Sequence, residues 1–104
     1  MKKILFACAS AMSTSIVMNA LKKEAQKEGL ELEVDAVSQV QIEEKLETGW
    51  DLIFLAPQIK HKYAEVKAIA DKKNITVECI FPQNYSPFGV AGLLKQLKNT
   101  LKIQ

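Results

Sequence analysis

Lys3-Ile4-Leu5-Phe6-Ala7-Cys8-Ala9-Ser10-Ala11-Met12-Ser13-Thr14-Ser15 changes character twice along its length. Residues 3–8 form a continuous apolar run of the kind that parallel sheets bury on both faces. Small and hydroxyl residues come next. Ile16, Val17, Ala20, Leu21 and Ala25 then make one stripe, which predicts a helix from about Ser13 to Glu28. Cys8 therefore stands between a strand end and a helix start, where backbone N–H groups point outward and the helix dipole favours negative charge. Such surroundings lower a thiol pKa from about 8.5 toward neutrality and favour the reactive thiolate. The same amides suit a phosphate.

Working outward, strand and helix patterns alternate. Gly29 ends the first helix, whose C-terminal half carries Lys22, Lys23 and Lys27. From Leu30 to Val37, Leu32, Val34 and Ala36 alternate with Glu31, Glu33 and Asp35, the pattern of a half-exposed edge strand. Ser38 with Gln41 predicts a capping box opening a short helix that Gly49 ends. Asp51-Leu52-Ile53-Phe54-Leu55 is a second fully apolar strand, and Ile59, Tyr63, Val66, Ile69 and Ala70 predict a helix over about 60–73. Ile75 to Ile80 reads as a fourth strand. Ser86 caps Pro87 in the favoured first helical position, ahead of a stripe of Val90, Leu93, Leu94, Leu97 and Leu101. The expected fold is α/β: one doubly wound domain spanning 1–104, with a four-stranded parallel sheet flanked by helices. The apolar strands belong at its centre and 31–37 at one edge, which gives the order 2-1-3-4. Ligands of such sheets bind beyond the carboxyl ends of the strands, at the switch point beside the first strand, and Cys8 falls there.

Composition narrows the chemistry. At 104 residues the chain fits one domain, and 48% hydrophobic with 25% charged residues is ordinary for a globular protein. The net charge is +2, and all 14 basic residues are lysine. Arginine is the usual residue for bidentate phosphate capture and guanine readout, so its absence argues against a nucleic-acid partner. Lys2 and Lys3 before Ile4 to Ala7 imitate a secretory leader, and Leu5-Phe6-Ala7-Cys8 loosely imitates a lipoprotein box. The apolar run is shorter than the roughly 7–15 residues of a signal peptide, and none approaches the roughly 18 needed to span a bilayer. Two cysteines at distant positions point to a reducing compartment. A cytoplasmic chain without membrane insertion is expected.

The loops expected at the carboxyl edge are about 8–15, 37–39, 56–60 and 80–87. They contain no Asp, Glu or Arg, and Lys60 at the margin is their one charge. Hydrolases that open phosphate esters with a loop cysteine use an arginine to hold the charge and an acid for the leaving group. The cysteine-phosphatase pattern C-x-x-x-x-x-R-[ST] needs arginine where this chain has Thr14. Losing such a cation costs on the order of 10³-fold in phosphoryl transfer. A loop of neutral amides and hydroxyls is suited to carrying a phosphate rather than releasing it to water.

Cys8-x-x-x-Met12-Ser13-Thr14-Ser15 after the first strand, with Ala56-Pro57-Gln58-Ile59 after the third, resembles enzyme IIB of the lactose/cellobiose-type sugar phosphotransferase system. The resemblance covers essentially the whole chain. It implies a relay in which a phosphohistidine on a IIA protein phosphorylates Cys8, and the phosphocysteine passes the group to a sugar, expected to be a β-disaccharide, held by the membrane transporter IIC. By this resemblance Cys8 is the catalytic residue, and Ala9, Ser10, Ala11, Met12, Ser13, Thr14 and Ser15 bind the phosphate. Relatives often have glycine in place of Ala11 and Ala56. No metal, nucleotide or flavin is implied, and a monomer is expected.

Plainer readings stand beside these. A cysteine such as Cys8 is commonly a small buried hydrophobe, and Ser10, Ser13 and Ser15 suit helix caps. Cys79, inside a strand two removed from Cys8, reads as core and lies too far for an unstrained disulfide. Met12 reads as packing or a partner contact, His61 between Lys60 and Lys62 as a solvated helix residue, and Tyr85 and Phe88 as half-exposed partner anchors. The competing classes are a cysteine hydrolase or reductase of similar topology, and a non-catalytic regulatory module in which Cys8 is structural.

Overall fold

A computed structural model describes residues 2–8, 11–38 and 41–102, with the backbone alone for 11–14, 48 and 87. The chain runs β1 (Lys2–Cys8), α1 (Ala11–Lys27), β2 (Leu32–Ser38), α2 (Ile42–Lys45), β3 (Leu52–Leu55), α3 (Tyr63–Asp71), β4 (Thr76–Cys79) and α4 (Val90–Leu101). The four strands are parallel in the order 2-1-3-4, as the pattern of apolar and alternating strands predicts.

Both faces of the sheet are covered, which is why β1 from Ile4 to Cys8 and all of β3 are apolar. On one face Leu5, Ala7, Ile53 and Leu55 pack with Ile42 and Leu46, and with Val66 and Ala70 of α3. On the other, Ile4, Phe6, Leu52 and Phe54 pack with Val17, Leu21 and Ala25 of α1 and with Leu93, Leu94 and Leu97 of α4. The Phe6 and Phe54 rings meet edge to face, 5.5 Å between centroids, a favoured aromatic geometry. β2 is the edge strand: Val34 and Val37 are buried, while Glu33 is exposed.

Several boundaries differ from the sequence expectation. Ser38 does not open a helix. It is the last residue of β2, held in register with Cys8, and Gln41 precedes α2 without a side-chain cap. A central strand that runs to Cys8 draws its neighbour along, and ladder pairing outweighs the local capping preference. The helix expected over 60–73 is a 3-10 turn at Pro57–Lys62 followed by α3, kinked at Ile59, which is buried. Helix α1 begins earlier than Ser13, at Ala11, and Gly29 stops it at φ +74°, a left-handed conformation that suits glycine. Ser86 caps a 3-10 turn, Pro87–Gly89, through a bond from Gly89 N–H to Ser86 Oγ, and the α-helix proper starts at Val90.

Asp51 lies outside β3 and has a different task. Its carboxylate accepts the Lys3 N–H at 2.8 Å, and its own N–H donates to the Lys3 carbonyl at 2.8 Å, so the two central strands are locked at their amino ends.

Candidate functional site

Cys8 is the last residue of a strand flanked on both sides, so its position is fixed by the sheet rather than by a loop. Ser38 lies beside it on β2. On the β3 side, Ala56 N–H donates to the Ala7 carbonyl at 2.9 Å, and Ile80 N–H donates to the Leu55 carbonyl at 2.9 Å. The carboxyl edge therefore presents Ser38, Cys8, Ala56 and Ile80 in a row. Tyr85 is half-buried and packs against the apolar clusters of both faces, which places it across the end of the sheet. Cys8 is fully buried, in the cluster that holds Ala7, Val37, Ile42, Ala56 and Ile59.

Of the residues the sequence singles out, Ala9 and Ser10 lie outside the described residues. Ala11, Met12, Ser13 and Thr14 form the first turn of α1, described as backbone, and Ser15 follows with a half-buried side chain. Ala11 and Ala56, where the resemblance leads one to expect glycine, sit in conformations open to any residue. Ala11 is helical, and Ala56 is extended at φ −62°, ψ 147°. Neither position uses the left-handed freedom that glycine provides.

The turn Pro57–Lys62 presents Gln58, Lys60 and His61 to solvent, and Lys62 pairs with Glu65 at 3.7 Å. Cys79 ends β4 half-buried, with β3 between it and β1, and no disulfide joins it to Cys8. Burial pushes the Cys79 thiol up from its ordinary pKa. The Glu78 carboxylate adds to that rise and Lys60 opposes it. Among the described residues no cluster of three or more His, Cys, Asp or Glu is placed to hold a metal ion. A groove of about 400 Å³ runs between β2 and α2, lined by Asp35, Val37, Gln41, Glu44 and Lys45 without Cys8. The Lys45–Asp35 ion pair, 2.8 Å long, lies in its wall.

Two residues at this edge escape the sequence reading. Ser38 was hidden behind its helix-capping pattern. Gln96 lies among Leu93, Leu94 and Leu97 on the buried stripe of α4, and a glutamine at a core position was the available signal.

Similarity to known proteins bears on the family and the fold. The family model for the lactose/cellobiose-specific IIB subunit of the phosphotransferase system matches residues 3–95. The chain is 36% identical to an oligo-beta-mannoside-specific EIIB component of Bacillus subtilis (strain 168), over 99% of this chain and 96% of the relative. It is 33% identical to a galactose-specific EIIB component of Lactococcus lactis subsp. cremoris, over 81% and 82%. Among solved structures, the cellobiose-specific IIB protein of Borrelia burgdorferi superposes with a TM-score of 0.74 at 23% identity, covering 97% of this chain and 92% of that one. The lactose-specific IIB domain of Streptococcus pneumoniae gives 0.73 at 22% identity, covering 91% and 95%. Those structures share its fold, and on the family match and the curated relatives the chain belongs to the lactose/cellobiose-specific IIB family, the sugar-specific components of the phosphotransferase system.

Proposed function

We propose that Cys8 is the phosphoryl carrier of this component. The thiolate attacks the phosphorus of a phosphohistidine on a IIA protein: the S–P bond forms, the N–P bond breaks, and the imidazole leaves. In the second step a sugar hydroxyl held by the membrane transporter IIC attacks the phosphocysteine. An O–P bond forms, the S–P bond breaks, and the thiolate returns. Backbone amides of the segment from Ala9 to Ser15 hold the phosphate, with Ser10, Ser13 and Ser15 hydroxyls beside them. One domain spanning 1–104 performs the relay in the cytoplasm as a monomer. The sugar is a β-linked disaccharide or a related oligosaccharide, in keeping with the name of the oligo-beta-mannoside-specific relative.

The observation that carries this reading is the place of Cys8. It ends a central strand at the switch point of a parallel sheet, just before α1, and the edge loops around it lack arginine and acid. Among the described residues no helix is long and apolar enough to cross a membrane. Complete burial of Cys8 favours a second reading, in which the thiol is only a core residue of a regulatory module.

Intact mass separates the two. The chain is incubated with phosphoenolpyruvate, the general phosphotransferase proteins and a lactose/cellobiose-type EIIA. Wild type and Cys79→Ser gain one phosphoryl group and Cys8→Ser gains none. No gain in wild type with several such donors overturns the carrier reading.

A further inference from the structure

Gln96 is the buried polar side chain of α4, 7% exposed, and its bonds all reach one segment. Its Nε2 donates to the Cys79 carbonyl at 2.8 Å, and its Oε1 accepts from Asn84 Nδ2 at 3.2 Å and from Phe81 N–H at 3.5 Å. Burying an amide costs free energy unless its hydrogen bonds are remade, and a leucine would suffice for packing alone. Two glycines allow close packing here, Gly89 where the segment folds back on itself and Gly92 where it meets the helix. A methyl group on Gly89 would come within 2.4 Å of the Gln83 carbonyl oxygen, and one on Gly92 within 2.4 Å of Asn84 Oδ1. Residues 80–89 are thus seated on α4 from both ends.

That segment carries the exposed aromatics of this edge. Phe88 is 99% exposed and Phe81 49%. The turn Pro87–Gly89 packs against α1, which comes next after Cys8 among the described elements and whose Ile16 is 66% exposed. Charge orients the approach. Residues 80–89 and 56–62 contain no Asp or Glu, and Lys60 and His61 are exposed beside them. Glu78 is half-buried within β4, and on the far side, past β2, Glu43 and Glu44 are exposed. A phosphorylated protein, with up to about two negative charges on its phosphoryl group, meets least repulsion over the 80–89 and 56–62 segments.

We propose that residues 80–89 are the seat of the phosphorylated donor protein, with Phe81 and Phe88 as its apolar contacts and Gln96 as the residue that positions them. The inference rests on the carrier reading of Cys8. A segment held in place before encounter spares the ordering cost of docking, and phenylalanine is among the side chains enriched at interfaces over the rest of the surface.

The test uses the full chain and a lactose/cellobiose-type EIIA. Initial rates of phosphoryl transfer are measured against phospho-EIIA concentration, and the Kd for unphosphorylated EIIA by NMR titration. Phe88→Ala and Gln96→Leu each raise KM and Kd roughly tenfold, the size of a moderate hot-spot loss, while kcat stays within about twofold. The Gln96→Leu/Phe88→Ala double variant loses little more than either single one, since both remove the same contact. Gly92→Ala, which drives a methyl into Asn84, repeats the Gln96→Leu effect should that variant fail to fold. KM and Kd within about twofold of wild type for Phe88→Ala overturn the proposal. So does an unchanged donor step with a defect only in transfer to the membrane transporter. Binding that depends on Phe88 in a chain that takes no phosphoryl group would leave the seat standing and remove the carrier reading.

Discussion

The two thiols occupy the carboxyl ends of different strands in different surroundings, and their reactivity should separate accordingly. Cys8 is wholly buried and Cys79 half-buried, so an alkylating reagent reaches Cys79 without a change of shape and Cys8 only when its cover opens. The Cys79 thiolate is disfavoured first by burial and then by Glu78. Its iodoacetamide rate should therefore climb with pH along a curve displaced above that of an ordinary thiol, and Glu78→Gln should move the curve back down. Peptide mass spectrometry after timed alkylation checks both. The position of Cys8, at a strand end ahead of a helix, was legible in the sequence because an apolar run, a thiol and a helical stripe follow one another within a few residues. Its burial was not. Burial depends on Val37, Ile42, Ala56 and Ile59, which arrive from separate parts of the chain. Gln96 was hidden for a related reason, since a stripe reading records polarity without showing what a buried amide will bond.

Among the elements, strands were read more surely than short helices. A strand such as β3 declares itself by being apolar at every position, whereas α2 spans only Ile42–Lys45 and has no periodicity to show. There the capping pattern at Ser38 and Gln41 misled, because pairing with Cys8 decides where β2 ends. What secures α2 to β2 is in part the Lys45–Asp35 pair at 2.8 Å. The Lys45 hydrogen bond holds the Asp35 carboxyl below its usual range, against a smaller opposing effect of burial. A lowered carboxylate pKa contributes stability above the unfolded value of about 3.9, and that stability is lost as pH falls through the folded value. Both side chains are more than a third exposed, so Lys45→Met should cost less than about 1 kcal/mol near neutrality. The difference from wild type should shrink on acidification below the ordinary carboxylate range. Urea titrations at a series of pH values measure it.

Across the whole molecule, the order 2-1-3-4 was readable because burial on two faces leaves an unmistakable pattern, and two apolar strands leave little choice of centre. Helix coverage of both faces makes that centre the main source of stability. Phe54 is fully buried against Phe6, so Phe54→Ala should cost about 3–5 kcal/mol, as large-to-small core changes do. That is a large part of the roughly 5–15 kcal/mol available to a domain, and it shows as a lower urea midpoint with an unchanged slope. The tie between Lys3 and Asp51 bears on how the chain is made. β1 leaves the ribosome before β3, and the carboxylate that accepts its Lys3 N–H comes 48 residues later, just ahead of β3. Until then Leu5 and Phe6 lie on a strand with no neighbour on the β3 side, and the nascent protein carries an apolar ribbon it cannot yet enclose. Closing so long a loop adds little entropy beyond a shorter one, so the delay is set by the pace of translation. A chain stalled before Asp51 can pair β1 only with β2 and leaves the β3 side of β1 open.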